Sequence, residues 1–480
     1  MRTKIIFRYV GLTLVMVATL MLASAIAAIM MHDKESLIPL LYSAFITFIV
    51  GSYPLIFTHT GNHMSKAEGY HVVVFSWLAA CIFGMLPYLC FGKEFTVVNS
   101  LFESVSGFTT TGASILNDIE AVPAGLLFWR MATSWIGGIG IVAVFSLFVS
   151  KSHDDRSALS GSEISSIATD QTTRRGKNVV YMMLIIYTAL TMLCTVSLRF
   201  TGMGWFDAVT NAMSTCSTCG FCIKNASIAA YDSAASEAIL IVFMVISGIS
   251  FIQIYSLLFT RDRKWAKFEV SGIYLLMMAS ATLALTVNLW HSGSYDSFLS
   301  ALRPAAFQVA SLTTTTGFAT ADTNLWPNLG KIILIVCSLI CGCSGSTAGG
   351  IKVDRLIMVS KNCKREIFRV RRPNVVSSIR MNGSWVSESM IRSVNTFIIL
   401  YVGILFLGTF INILGGLDIV TASSAAIACM GNVGPGFGDV GSVGNYADFP
   451  VLQKCSSMAL MLLGRLEIIP ILLAFGRWKA

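Results

Sequence analysis

Charge is scarce in this sequence. Only 12% of its 480 residues are Asp, Glu, Lys or Arg, about half of the roughly 25% found in soluble domains. That excludes an ordinary soluble protein. There is also no long polar stretch from which a separate soluble domain could be built, so one membrane domain fits better than several domains. The apolar runs hold no metal-ligand set and no nucleophile–base pair, which excludes a membrane-embedded enzyme. They hold no carboxylate convincingly mid-run except Glu467, which weakens a carboxylate proton relay. A disulfide framework is excluded too. Most of the twelve cysteines lie in apolar runs, where Cys behaves as a small hydrophobe. Cys216, Cys219 and Cys222 have metal-like spacing, yet no fourth ligand lies near them.

What is present is apolar: 55% hydrophobic residues and a mean hydropathy of +0.71. Runs of about 20 residues mark membrane spans. They fall near 8–31, 37–57, 70–92, 124–150, 178–200, 234–260, 270–290, 328–360, 391–414 and 450–476. If the connecting segments alternate sides, 25 of the 34 basic residues share one side and seven lie on the other. The positive-inside rule makes the richer side cytoplasmic, with both termini there. The net charge of +9 is therefore a topology signal and not a nucleic-acid footprint. The outer side comes out near −7, enough to concentrate cations modestly. Residues 1–31 have a basic start and a small-residue triplet at 23–25, but their apolar core is too long for a signal peptide.

A short phrase recurs four times: SGFTTTGA, STCSTCGF, LTTTTGFA and MGNVGPGF. Its glycines, Gly112, Gly220, Gly317 and Gly434, are 108, 97 and 117 residues apart. Before each lies an apolar stretch too short to span, at 98–108, 206–216, 298–313 and 419–430, and long runs flank it on both sides. Four polar, glycine-ended loops in an apolar chain predict four pore loops around one axis, where backbone carbonyls replace the water around a cation. Glycine reaches backbone angles closed to other residues, and the C-terminal ends of the short helices favour a cation there. The candidate filter residues are Thr110, Thr111 and Gly112; Thr218, Cys219 and Gly220; Thr315, Thr316 and Gly317; and Asn432, Val433 and Gly434. The expected fold is an all-α membrane protein of ten transmembrane helices. Four pseudo-symmetric helix–pore loop–helix repeats (59–160, 161–265, 266–380 and 381–480) surround one pore, and an extra hairpin (1–58) packs outside.

The run at 328–360 is interrupted by CGCSGSTAGGIK, whose glycines break a helix mid-membrane. Such backbone is tolerated only against protein or a water-filled cavity, so it reads as a movable gate containing Gly345, Ser346, Thr347, Gly349 and Gly350. Arg465, inside the last run, needs partners. Glu467 is two residues away and off its face, so exposed carbonyls near 344–349 are the expected acceptors. Arg130, near the end of a run, is expected to snorkel to the interface. The segment 151–177 is rich in Ser, Thr and Asp and reads as a mobile connection, and the basic segment 361–380 suits lipid headgroups or an acidic cytoplasmic partner. GGIGIV at 137–142 lies inside a run with no strand before it, so it is no dinucleotide fingerprint.

With these motifs in hand, the chain resembles the Trk/Ktr/HKT superfamily of potassium and sodium transporters, most of all its bacterial TrkH-type membrane subunits. The phrases ESVSGFTTTGAS, WRMATSWIGGIGIV, NAMSTCSTCGF, QVASLTTTTGFATAD, CSGSTAGGIKVDR, GNVGPGFG and GRLEII carry the resemblance along almost the whole chain. It implies one filter glycine per repeat, at Gly112, Gly220, Gly317 and Gly434. It also implies an intramembrane gating loop over 341–350, with a nearby arginine at Arg465. Members are typically homodimers with one pore per protomer, associated with a cytoplasmic TrkA-type nucleotide-binding ring. Glycine at all four filter positions resembles the potassium-selective members. Cys219, Cys341 and Cys343 depart from the pattern, and the fourth loop lacks threonine. The implied function is gated potassium uptake across the bacterial inner membrane, with no covalent cofactor and a nucleotide acting only through the partner. A sodium- or proton-coupled symporter is the alternative.

Overall fold

A computed structural model of the chain describes residues 2–58, 65–140, 179–259, 268–372 and 377–476. The polar segment 151–177 and the end of the 124–150 run lie outside the described residues. Six helices are long and apolar enough to cross a membrane: Thr3–Met30, Leu37–Phe57, Glu68–Phe91, Tyr181–Phe200, Glu269–His291 and Glu388–Leu414. Their outward faces carry large apolar side chains such as Phe45, Leu276 and Phe406, as lipid contact requires. The first two helices, α1 (Thr3–Met30) and α2 (Leu37–Phe57), form a tight hairpin. A Cβ on Gly11 would lie 2.6 Å from the Gly51 carbonyl, so only small residues let these backbones approach so closely.

The rest of the chain repeats one order: a long helix, a short helix, a loop, then a return helix that is interrupted in the last three units. The short helices are α5 (Val97–Phe108), α8 (Trp205–Ser217), α12 (Phe298–Thr313) and α16 (Ile419–Gly431). Three start on a side-chain cap, from Thr96, Ser297 or Asp418, that satisfies free N–H groups. They follow α3 (Lys66–Gly84) with α4 (Leu86–Phe91), α7 (Val179–Phe200), α11 (Glu269–His291) and α15 (Glu388–Leu414). Glu68 closes a capping box with Ser65 at the start of α3.

The interrupted helices correct the expectation that only the third return run breaks. The run at 234–260 is two helices, α9 (Ala234–Ser247) and α10 (Phe251–Phe259), bent by 97°. The run at 450–476 is α17 (Val451–Arg465) and α18 (Ile469–Phe475), bent by 109°. The first return helix, α6 (Ala124–Ile139), ends at Gly140 with φ +100°. In the third, α13 (Asn328–Leu339) gives way to a loop and then to α14 (Val353–Arg371). A hydropathy window counts apolar residues and is blind to a backbone turn whose polar groups are satisfied inside the protein. With each bent pair taken as one span, length and composition support up to eight crossings among the described residues.

Two small strand pairs interrupt the helical plan. β1 (Ile340–Cys341) and β2 (Ile351–Lys352) pair in parallel and close the neck of the loop between α13 and α14. β3 (Arg380–Met381) and β4 (Ser384–Trp385) form an antiparallel hairpin before α15.

Candidate functional site

The four short helices end identically. The residue two before each key glycine is left-handed: Thr110, Thr218, Thr315 and Asn432, with φ between 53° and 58°. Its N–H donates three residues back, to Gly107, Thr215, Leu312 or Cys429. The next N–H donates five residues back, to Ser106, Ser214, Ser311 or Ala428. This is the Schellman ending, but with threonine three times at a position that normally takes glycine. A β-branched residue at positive φ is strained, and strain held at three of four equivalent places, with a tolerant asparagine at the fourth, points to a functional geometry. The glycines follow at φ +78° (Gly112), +85° (Gly220), +79° (Gly317) and +92° (Gly434).

The loops touch in a closed cycle. A Cβ on Gly112 would lie 1.9 Å from the carbonyl oxygen of Cys219. On Gly220 it would lie 1.9 Å from that of Thr316, on Gly317 2.1 Å from that of Val433, and on Gly434 2.5 Å from that of Thr111. Each glycine therefore faces the residue before the next glycine, and the fourth loop returns to the first. Among the described residues nothing donates to these four carbonyls. The Gly434 carbonyl, by contrast, accepts from the Tyr446 hydroxyl at 2.9 Å.

A second cycle lies beyond the glycines. Asn225 Nδ2 donates to Asp118 and the Ile119 N–H to Asn225 Oδ1, joining loops one and two. The Ala319 N–H donates to Ser227, joining two and three. Asn324 exchanges hydrogen bonds with Gly438, joining three and four. The Tyr446 N–H donates to Ser114 O, closing four onto one. Lys224 pairs with Glu120 at 3.0 Å and holds that carboxyl below its usual range.

The predicted filter side chains do different work in different loops. Thr109 and Thr111 share a hydroxyl–hydroxyl bond of 2.8 Å, and Thr314 and Thr316 one of 2.7 Å. Asn432 Nδ2 donates to the Thr111 hydroxyl and to Met461 O, 3.0 Å each, so it fastens the fourth loop to the first. The hydroxyl of Thr218 bonds to its neighbour Ser217 O. Cys219 and Val433 are fully buried. Thr315 faces the interruption after α13: its hydroxyl accepts the Gly349 N–H at 3.0 Å.

That interruption, residues 341–350, sits directly against the ends of the second, third and fourth short helices. The Thr347 hydroxyl lies 3.1 Å from Cys216 O and 3.3 Å from Ser247 O. A Cβ on Gly349 would lie 2.5 Å from Gly431 O. The loop also seals the bend between α9 and α10, since the Cys343 N–H donates to Gly248 O and the Phe251 N–H to Gly345 O. Ser346 closes an internal turn onto Cys343 O at 2.6 Å. Gly345 and Gly350 have φ of +83° and +63°. Arg465 donates to Thr347 O at 2.9 Å, and to Gly137 O and Gly138 O at 2.5 and 2.7 Å. The expected carbonyl acceptor is there, together with two at the end of α6 that sequence reasoning missed. A cavity of about 80 Å³ lies beside the loop, lined by Gly138, Gly349, Lys352, Arg465 and Glu467 among others.

Two charge clusters were also missed. Glu467 holds Arg355 at 2.6 Å and Lys352 at 3.3 Å, and Arg355 stacks on Phe397. Arg130 does not snorkel: its side chain is 2% exposed, ion-paired to Glu103 and stacked on Phe221. Desolvation makes an isolated buried charge too costly, so a partner is obligatory. A lone Glu in a short apolar stretch followed by a lone Arg in the next was the available signal.

A family model described as TrkH, cation transport protein, matches residues 40–478. The chain belongs to the TrkH family. It is a transporter of that family and not an enzyme. The Trk system potassium uptake protein TrkH of Halomonas elongata is 32% identical over 99% of this chain and 98% of its own length. The protein of the same name from Escherichia coli K12 is 30% identical over 99% of both. The crystal structure of the potassium transporter TrkH from Vibrio parahaemolyticus superposes with a TM-score of 0.86 at 28% identity, covering both chains completely.

Proposed function

We propose that this chain takes up potassium through an axial filter built from its four loops. The observation that carries the reading is the closed cycle of glycine-to-carbonyl contacts, with four unclaimed carbonyls belonging to Thr111, Cys219, Thr316 and Val433. Such dipoles, at four converging helix C-termini, can replace the hydration shell of a monovalent cation. Thr110, Thr218, Thr315 and Asn432 hold the turn, and Gly112, Gly220, Gly317 and Gly434 leave room for the neighbouring carbonyl. The relatives' names support potassium as the ion.

The loop at 341–350 is the gate in this reading, with Gly345, Ser346, Thr347, Gly349 and Gly350 moving and Arg465 latching it shut. The repeats run 59–160, 161–265, 266–380 and 381–480 beside the hairpin 1–58, and the chain crosses the bacterial inner membrane ten times with both termini cytoplasmic. The active unit is a lipid-embedded homodimer, and a TrkA-type nucleotide-binding ring controls the gate from the cytoplasm. The paired state of Glu467 supports passive permeation over a carboxylate relay.

The test is a reversal potential in proteoliposomes of the purified protein with opposed K⁺ and Na⁺ gradients. A potential near the K⁺ equilibrium value is expected. A potential insensitive to K⁺, or Rb⁺ uptake that requires Na⁺, would replace this reading with a different ion or with coupled symport.

A further inference from the structure

The joint between the first and second loops contains something the other three lack. The second and third loops are joined near the surface by Arg303 and Glu237, with the arginine side chain 47% exposed. The third and fourth are joined by neutral groups, Asn324 with Gly438 and Ser442 with Ala321. The fourth and first are joined by Lys454, which bonds to Asn99 and Ala447. Only at the first joint, among the described residues, is the tie a fully desolvated ion pair, Glu103 with Arg130.

Each partner reaches a different loop just past its glycine. Glu103 accepts the Ser114 hydroxyl at 3.2 Å and the Ile115 N–H at 3.2 Å. Arg130 donates to Cys222 O at 2.9 Å and lies 3.7 Å from the centre of the Phe221 ring. The chain of contacts therefore runs from the limb after Gly112, through both charges, to the limb after Gly220. It brackets one of the two closest steps of the cycle, where Gly112 faces the Cys219 carbonyl. Stability alone does not explain the pair, because well-packed apolar residues often replace a buried ion pair at no loss. What an apolar pair cannot do is orient an amide on one limb and a carbonyl on the other through directed, charge-assisted bonds.

We propose that Glu103 and Arg130 are positioning residues for ion selectivity: they set the spacing between Gly112 and the Cys219 carbonyl. This rests on the filter reading above. Neither residue touches the ion; they act through the two limbs.

The experiment compares Rb⁺/Na⁺ permeability ratios in proteoliposomes for four variants, each normalised to folded protein by size-exclusion profile. Arg130→Lys keeps the charge but loses the planar fork, so it cannot serve Glu103 and Cys222 together. Ser114→Ala removes the hydroxyl donated to Glu103, and with it the acceptor of the Leu116 N–H, while leaving both charges in place. Glu103→Gln/Arg130→Gln removes both charges and avoids an orphan. Loss of one positioning bond is expected to lower the ratio on the order of fivefold in Arg130→Lys and in the double variant. A smaller fall in the same direction is expected in Ser114→Ala, with total flux retained. Gly112→Ser is the control on the filter itself. If Gly112→Ser shifts the ratio while Ser114→Ala and every folded variant of the pair keep the wild-type value, the pair only holds the fold and the proposal is wrong. If Gly112→Ser also leaves the ratio unchanged, the filter reading fails first and takes the proposal with it.

Discussion

Serine at position 112 puts a side chain where the fold leaves no room. The added Cβ would sit 1.9 Å from the Cys219 carbonyl oxygen, whereas ordinary contact begins at 3.4 Å. The oxygen or the glycine must move by more than an ångström. A binding constellation tolerates roughly 0.5 Å of misplacement, so the displacement exceeds it severalfold. The substituted residue must also hold φ +78°, which costs an L-residue about 1–2 kcal/mol. A penalty of that size, felt by a tightly ligated ion and less by one that keeps its water, corresponds to roughly tenfold in selectivity. The same argument ranks the ring: serine at Gly220 meets a carbonyl at 1.9 Å, at Gly317 at 2.1 Å and at Gly434 at 2.5 Å. The expected loss of selectivity therefore falls from Gly112 and Gly220 through Gly317 to Gly434. Gly204→Ala is the control, because nothing lies within 4 Å of its Cβ. The assay is the Rb⁺/Na⁺ flux ratio in proteoliposomes. A wild-type ratio in folded Gly112→Ser with normal total flux, or an order unrelated to these distances, would refute the reasoning.

Arg465→Ala removes three bonds to the carbonyls of Thr347, Gly137 and Gly138, and should raise basal Rb⁺ uptake per folded molecule, as should deletion of residues 345–349; reduced flux with partner control intact would show that the loop is not the gate. Thr315→Val orphans the Gly349 N–H, a loss of about 1–3 kcal/mol for a buried donor, and should also raise basal uptake; an unchanged rate would separate Thr315 from loop closure. Glu467→Gln leaves Arg355 and Lys352 without their carboxylate, and breaking a buried pair costs about 3–5 kcal/mol, so the melting temperature read by size exclusion should drop sharply. In a cysteine-depleted background, Asn225→Cys and Asn445→Cys should react with an impermeant thiol reagent in intact spheroplasts while Ser389→Cys should not; labelling of Ser389→Cys from outside would overturn the ten-crossing topology.

The long helices were legible because a bilayer imposes length and apolarity, and both are one-dimensional properties of a sequence. Leu37–Phe57, Glu269–His291 and Glu388–Leu414 fall almost where their apolar runs do. The four short helices and the positive φ of Gly112, Gly220, Gly317 and Gly434 were legible for a similar reason: a local pattern that recurs four times is visible without any contact. The bends near Gly248 and Glu467 were not, because their freed backbone groups are satisfied by segments distant in sequence or by turns with no apolar signature. Nor was the left-handed state of Thr110, Thr218 and Thr315, since local preference argues against it. The buried Arg130 reads as a snorkelling residue until Glu103 is brought beside it across 27 positions. The sequence alone determined where the long apolar helices lie and which four glycines follow the short ones. Tertiary structure decided which carbonyl each glycine faces, which charges are paired in the dry interior and where helices break, because those outcomes depend on contacts between residues as far apart as 27 to 321 positions.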